Sequence, residues 1–132
     1  RLSGLRFVLE QKLELVKAVT CKISSITPFP FSRPKIVAAL VECTVDLLQL
    51  QTDVANCARS WGISLERRRF VPHVTLGRLK PYARKSVDFQ AHNILLAGIA
   101  DTVTLFQSEL TPKGAIHTAL AEIPLRTLPE GK

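Results

Sequence analysis

The stretch from Arg67 to Lys80 constrains the fold of this chain more than any other. Pro72 disfavours the α region for the residue before it, so the backbone is predicted to enter His73 in an extended conformation. The apolar and β-branched residues that follow favour a strand. Because side chains alternate along a strand, His73 and Thr75 are predicted to lie on one face of it. An imidazole and a hydroxyl side by side on a rigid support suit the binding and protonation of a phosphate oxygen.

Two simpler explanations compete with a phosphate site. A histidine in a strand is often only packed or solvated, and an H-x-T tripeptide frequently occurs by chance. The five cationic side chains of this stretch could likewise form an ordinary solvated surface. From these residues alone the alternatives stay open, and the flanking sequence has to decide between them.

Composition indicates a globular protein with anionic partners. A length of 132 residues is enough for a real core, so we expect a single domain over residues 1–132. With 46% hydrophobic and 22% charged residues, the chain is not of the disordered class. Eighteen basic against eleven acidic residues give a formal charge of +7, which favours nucleic acids, nucleotides or other phosphates. A basic protein without any nucleic-acid role is also compatible with this charge.

The cysteines bear on the compartment and on metal binding. Cys21, Cys43 and Cys57 form no C-x-x-C pair, and each stands among apolar residues, which is typical of reduced, buried thiols. We therefore expect a cytoplasmic protein. Their spacing to the three histidines matches no zinc pattern, so we expect no zinc site. No apolar run has the length of a membrane span, so we expect no membrane partner.

Hydrophobic periodicity predicts alternating helices and strands. Two helices against a mostly antiparallel sheet make an α+β domain. The aromatic residues of the proline-rich loop are expected to cover a sheet edge or a cleft wall. The predicted elements are a helix over 5–19, a strand over 20–26, a proline-rich loop over 27–34, a buried strand over 35–42, a helix capped by Thr44 and ended by Gly62, the strand that carries His73, an ambiguous stretch over 86–99, and a hairpin of strands 100–108 and 116–125 around a turn at 110–114.

Four segments occur in an order that resembles a known family. Together they are similar to the 2H phosphoesterase superfamily, specifically the LigT-like RNA 2',3'-cyclic phosphodiesterases, also called 2'-5' RNA ligases. The resemblance covers about residues 5 to 125. The segments are Arg33-Pro34-Lys35-Ile36-Val37, the helix from Leu47 to Trp61, the run from Arg69 through Pro72-His73-Val74-Thr75-Leu76-Gly77-Arg78 to Leu79, and the ending Leu105-Phe106-Gln107-Ser108-Glu109-Leu110-Thr111-Pro112.

The resemblance implies a fold, a chemistry and a substrate class. The fold is two pseudo-symmetric halves, with mostly antiparallel sheets flanked by helices around a cleft. Each half contributes one H-x-[ST] motif to a metal-independent phosphoesterase site. One histidine acts as general base and the other protonates the leaving oxygen, a division that suits imidazoles near neutral pH. The implied substrates are RNA or nucleotides with a 2',3'-cyclic phosphate or a 2'-5' linkage.

Residue roles follow from the matching positions. By resemblance, His73 and Thr75 are catalytic, and Arg78, Phe70 and Arg69 bind substrate. Strict alternation would place Arg78 on the face opposite His73, so a bulge or the end of the strand must intervene if it reaches the phosphate. Phe70 either borders the nucleobase or packs into the core.

The sequence departs from the family pattern at its first motif. In the family, an H-x-[ST] motif on an early strand precedes the helix placed here at 5–19. We expect this motif either to lie upstream of Arg1 or to be reduced to Arg1-Leu2-Ser3, so that the amino-terminal region is truncated or degenerate. His117-Thr118 lacks the spacing and His92 lacks a paired hydroxyl, so both are expected to be structural or surface histidines.

This departure leaves two functions open. One is an RNA 2',3'-cyclic phosphodiesterase in which one of the two catalytic motifs is present. The other is a catalytically weak or inactive RNA-binding, nucleotide-binding or assembly module on the same fold. Absent strands would expose a sheet edge, which proteins often cover by self-association, so we also expect a possible homo-oligomer.

Overall fold

The computed structural model describes residues 2–65, 69–80 and 92–127, and the backbone there forms an α+β fold as predicted. The helices and strands follow one another along the chain as α1 Leu2–Leu13, β1 Val19–Phe29, β2 Ile36–Val41, α2 Val45–Ser60, β3 His73–Arg78, β4 His92–Ala100, β5 Thr102–Thr111 and β6 Gly114–Pro124.

The chain divides into two compact units. One unit contains α1, most of α2 and the β5–β6 hairpin. The other contains nearly all of β1 and β4 together with β2 and β3, which form a four-stranded sheet in the order β3-β2-β1-β4. The single domain expected over residues 1–132 stays a prediction.

Strand β2 lies inside the four-stranded sheet and pairs antiparallel with both β1 and β3. Its central residues Ala38 and Ala39 point to opposite faces, and both are buried. The nearly continuous apolar sequence predicted this burial on both faces, and the prediction is confirmed. A strand that is paired on both sides and buried at its centre gives the site on its neighbour β3 a rigid support.

The predicted loop over 27–34 is wrong in its first part, because β1 continues through Phe29. Pro28 lies opposite Val37 within the sheet. It stands one residue before the end of the strand, where the missing N–H donor costs least. The Lys35 N–H then donates to the Phe29 carbonyl (3.0 Å) where the chain returns into β2, and the intervening Phe29–Pro30 peptide bond is cis.

Helix α1 packs a stripe of leucines against strand β6. Leu5, Leu9 and Leu13 recur every four residues and are almost completely buried, as is Ile123 on β6. Burial of each such side chain stabilises the fold by about 1.5–3 kcal/mol. The helix ends at Leu13 rather than at residue 19, because a turn follows in which the Val16 N–H donates to the Leu13 carbonyl (3.1 Å). The helical spacing of apolar residues in the sequence continues past this turn to the beginning of strand β1, so it did not indicate where the helix ends.

Helix α2 has the ends that the sequence predicts. The Thr44 hydroxyl accepts a hydrogen bond from the Leu47 N–H (3.2 Å), which satisfies one of the free donors of the first turn. Asp46 lies in that turn, where a negative charge is favourable. Gly62 follows the helix with a φ of 89°, a conformation that favours glycine.

Trp61 follows helix α2 and packs against helix α1. It is half-buried, and its indole ring lies directly against Gly4 of helix α1. A Cβ atom at Gly4 would overlap the ring carbons. The glycine is therefore required by the close approach of the helix to the indole.

Replacement of Gly4 by alanine is expected to lower the free energy of unfolding by about 1–3 kcal/mol, because the rigid indole must move. This outcome runs against the higher helix propensity of alanine. Urea unfolding measures it, with Ser3→Ala on the same helical turn as the matched control. A Gly4→Ala midpoint at or above that of the natural chain would contradict the contact.

The stretch over 86–99 that the sequence left ambiguous contains strand β4, and its part before His92 lies outside the described residues. The predicted hairpin is confirmed, and its strands reach further into the turn than expected, to Thr111 and from Gly114. Gly114 has a φ of 115°, and the Thr111 hydroxyl donates to its carbonyl (2.6 Å). These contacts close the hairpin tightly around Pro112 and Lys113.

The three thiols differ in burial, so the prediction of buried cysteines holds only in part. Cys57 is buried, Cys21 is half-buried and Cys43 is exposed. Cys43 lies in the connection between β2 and α2, where its apolar neighbours belong to the adjoining strand. Burial raises the pKa of the Cys57 thiol. The positive charge of Lys12 acts in the opposite direction and lowers this pKa, whereas the negative charge of Asp53 raises it.

The described part of the expected remnant Arg1-Leu2-Ser3 is not on a strand, because Leu2 and Ser3 lie in the first turn of α1. The location of a first motif stays a prediction. Within the described ranges, no helix has the length and apolar character needed to cross a membrane.

Candidate phosphate site on strand β3

His73 and Thr75 lie on the same face of the four-stranded sheet, as the alternation of strand side chains predicts. In an antiparallel pair, residues directly opposite each other share a face. His73 lies opposite Leu40, and Thr75 lies opposite Ala38, two residues along the same strand. Both His73 and Thr75 are exposed, so an imidazole and a hydroxyl are open to a ligand on this face.

Strand β3 contains a bulge just after Thr75. The pairing passes from Ala38 opposite Thr75 to Val37 opposite Gly77, so one step along β2 matches two steps along β3. Leu76 is the extra residue. A bulge of this kind changes which face the following side chains occupy.

The bulge moves Arg78 to the face of His73 and Thr75. Arg78 lies opposite Ile36, and Ile36 shares its face of β2 with Ala38, the partner of Thr75. The three polar side chains are therefore on one face, and Arg78 is exposed like the other two. Strict alternation along the strand would have placed Arg78 on the face opposite His73. The bulge in the pairing of β2 with β3 supplies the irregularity that was needed to bring it to the same face.

The ring of His73 is held by the backbone. Its Nδ1 atom lies 2.7 Å from the Val71 carbonyl oxygen. Since a carbonyl can only accept, Nδ1 must carry a proton to make this bond. In the neutral ring, Nε2 then has the free lone pair, so it can take a proton from a ligand.

Phe29 also belongs to this face, although it was not among the site residues predicted from the sequence. Its ring lies on the His73 ring with centroids 4.7 Å apart and planes inclined by 31°. Phe29 lies opposite Ile36 and His73 lies opposite Leu40, so the two rings approach each other diagonally across strand β2. The β2 residue midway between Ile36 and Leu40 on this face is Ala38, whose single methyl group leaves room for this approach. The Phe-Pro-Phe sequence is the available signal, and on its own it indicates only aromatic cover for an edge or a cleft wall.

The other predicted substrate-binding residues precede the strand. Arg69 is exposed and Phe70 is half-buried. The role of Phe70, at a nucleobase or in the core, stays a prediction. The Pro72 carbonyl accepts from the Val41 N–H (3.0 Å), which extends the β2–β3 ladder towards them. Arg67 and Arg68 lie outside the described residues.

The remaining histidines are on the surface, as predicted. His117 lies opposite Ser108 in the β5–β6 hairpin, with 2.7 Å between its Nδ1 atom and the serine hydroxyl oxygen. The Phe106 ring meets it edge-on with centroids 6.5 Å apart. His92 is exposed at the beginning of β4. Over residues 2–65, 69–80 and 92–127, no three His, Cys, Asp or Glu side chains form a group that could hold a metal ion.

Comparison with known proteins decides the family. A family model described as LigT like Phosphoesterase matches residues 40–117, which is more than half of the chain. The chain belongs to the LigT-like phosphoesterase family. The resemblance inferred from the sequence segments is thereby confirmed, including the membership in the 2H phosphoesterase superfamily.

One curated relative within this LigT-like family is the RNA 2',3'-cyclic phosphodiesterase of Thermotoga maritima. It is 33% identical over 95 residues, a match that covers 67% of this chain and 48% of the relative. The chain thus spans about half the length of the curated protein it matches.

Solved structures share the LigT-like fold. The crystal structure of TT0787 of Thermus thermophilus aligns with a TM-score of 0.72 at 22% identity, covering 92% of this chain and 68% of that one. The crystal structure of E. coli LigT complexed with 3'-AMP aligns with a TM-score of 0.70 at 20% identity, covering 93% and 67%. Identities of this size show the fold alone, and they confirm the predicted fold class.

Proposed function

We propose that this chain carries one of the two motifs of an RNA 2',3'-cyclic phosphodiesterase, built from His73, Thr75 and Arg78. The observation that carries the proposal is the bulge in β3, since it gathers a base, a hydroxyl and a guanidinium on one exposed face. Two relatives support the substrate class. The T. maritima relative is named as an RNA 2',3'-cyclic phosphodiesterase, and E. coli LigT was crystallised with 3'-AMP.

Each side chain has a distinct role in opening the cyclic phosphate. Nε2 of His73 takes a proton from the attacking water as the new P–O bond forms. The Thr75 hydroxyl donates to a non-bridging phosphate oxygen, and the Arg78 guanidinium stabilises the charge that grows on the phosphate in the transition state. The ring P–O bond then breaks, and its oxygen needs a proton. In the family the second histidine supplies it.

This division of roles uses proton transfer and fixed positive charge, so we propose a reaction without a metal ion or other cofactor. A 2'-5' RNA ligase activity would use the same groups, with a ribose hydroxyl in place of water. The basic composition of the chain, with a formal charge of +7, favours RNA or nucleotide substrates over neutral ones.

A second function is favoured by the absence of a second H-x-[ST] motif in the 132 residues. Without a partner histidine, the same face would bind RNA ends or nucleotides with weak turnover or none. A nucleotide-binding or assembly module therefore stays an alternative on the same fold.

A turnover and binding assay separates these functions. We expect the chain to convert a nucleoside 2',3'-cyclic phosphate to a monophosphate, with unchanged rate in the presence of EDTA, as followed by phosphorus NMR. Salt-sensitive binding of a nucleoside monophosphate without turnover would favour the binding module. A rate that vanishes with EDTA would contradict the metal-free mechanism, and the absence of both turnover and binding would contradict the proposed phosphate site.

Assembly and location stay predictions. A homo-oligomer that covers open apolar surface is favoured by Phe106, Leu110 and Ile116 on the hairpin, which are exposed by 56%, 93% and 53%. The cytoplasmic location rests on the sequence, in which the cysteines form no C-x-x-C pair and stand among apolar residues.

A further inference from the structure

Phe31 is a large apolar side chain that is open to solvent beside the candidate phosphate site. It is 71% exposed and lies two residues after the end of β1. Its ring meets the ring of Phe29 edge-to-face, with centroids 6.3 Å apart and an interplanar angle of 71°. Phe29 in turn lies on the ring of His73, so the three rings form a continuous row on this part of the sheet.

We propose that Phe31 is the nucleobase-stacking residue of the site, so that it makes the chain select nucleotides over other cyclic phosphates. The inference rests on the proposed phosphate chemistry at His73. Aromatic side chains bind bases through their π-faces, and the energy hardly depends on which base is present. Phe31 would therefore contribute affinity for any nucleoside without choosing among bases.

The geometry suits the length of a nucleotide. The ring centroid of Phe29 lies 4.7 Å from that of His73 and 6.3 Å from that of Phe31. The rings of Phe31 and His73 are therefore no further apart than the sum of these two distances. That span is comparable to the distance from the phosphate of a nucleotide, across its ribose, to a ring stacked on its base. The two phenyl rings meet edge to face, and Phe31 keeps most of its surface exposed, so its ring is open to a stacking ligand.

The ring is also held in place and has a suitable electrostatic setting. The Lys35 N–H donates to the Phe29 carbonyl (3.0 Å) and fixes the base of the loop. Arg33 of the same loop is exposed, which adds positive charge beside the stacking surface. A phenyl ring in a purely structural role would gain little from this position, because most of its surface stays exposed and only its contact with Phe29 contributes.

The test compares substrates with and without a base. We expect Phe31→Ala to lower kcat/KM for adenosine and uridine 2',3'-cyclic phosphate by about tenfold or more, mainly through KM. Cleavage of the abasic analogue 1-O-methylribose 2',3'-cyclic phosphate should be unchanged. Phe31→Trp should keep or raise the preference for nucleosides. Phe7→Ala is the matched control, since Phe7 on helix α1 is a similarly exposed ring (62%).

The outcomes separate this inference from the proposed reaction. A Phe31→Ala variant that cleaves nucleoside and abasic substrates in the natural ratio would overturn the stacking role while leaving the reaction intact. If the natural chain cleaves neither substrate, calorimetric binding of adenosine 2'-phosphate and of ribose 2-phosphate decides. A base-dependent affinity that Phe31→Ala removes supports the inference even then, and equal or absent binding of the two ligands contradicts it.

Discussion

Replacing His73 by alanine is expected to lower the turnover of a nucleoside 2',3'-cyclic phosphate by about 10²–10⁴-fold, the usual contribution of a general acid or base. The reason is the geometry of the ring: Nδ1 is committed to the Val71 carbonyl, so Nε2 is the atom left to exchange a proton with the ligand. Because His73 is exposed, its removal should leave the fold stable. The loss should fall on kcat more than on KM, since the base acts only in the transition state.

Two controls make the His73 result specific. His117→Ala removes an exposed histidine that also has a 2.7 Å contact to a hydroxyl, and it should leave turnover unchanged. Added imidazole should restore part of the activity of His73→Ala, because the small base can occupy the space of the lost ring. Wild-type turnover in His73→Ala would exclude the role of His73 as base. A loss of equal size in His117→Ala would show that the phosphate site has been assigned to the wrong histidine.

Local signals predicted the part of the site that lies within one strand. Pro72 fixed the start of β3, and simple alternation then placed His73 and Thr75 together. The position of Arg78 could not be predicted in this way, because the bulge arises from the pairing of β3 with β2. The contact of Phe29 with His73 depends on β1, which lies beyond β2 in the sheet. Both features depend on strand order and register, which no short window of sequence contains.

The same distinction holds for the fold. The ends of α2 were predicted correctly, because Thr44 and Gly62 act on the backbone beside them. The end of α1 was predicted six residues too late, since its apolar spacing passes without a break to Val19, the buried first residue of strand β1. Pro28 was assigned to a loop because its cost in a strand depends on how near the strand's end lies, which the pairing with β2 decides.

Arg78→Ala is expected to lower kcat by about 10²–10³-fold, the usual cost of losing one donor that stabilises an oxyanion. Arg78→Lys should recover only part of this loss, because lysine keeps the charge but lacks the two-pronged donor geometry of arginine. Arg59→Ala on helix α2 changes the net charge equally and should have little effect. These variants test whether the arginine contributes through position or only through charge.

The bulge itself can be tested by moving the arginine one residue. Under strict alternation residue 77 would share the face of His73, whereas in the observed pairing Gly77 lies opposite Val37 on the other face. A Cβ at Gly77 meets no atom within 4 Å, so an arginine fits there. The double variant Gly77→Arg, Arg78→Gly keeps composition and charge, and we expect it to be as slow as Arg78→Ala. Full activity in this swapped chain, with circular dichroism confirming a native fold for both variants, would mean that the bulge does not determine which side chain reaches the phosphate.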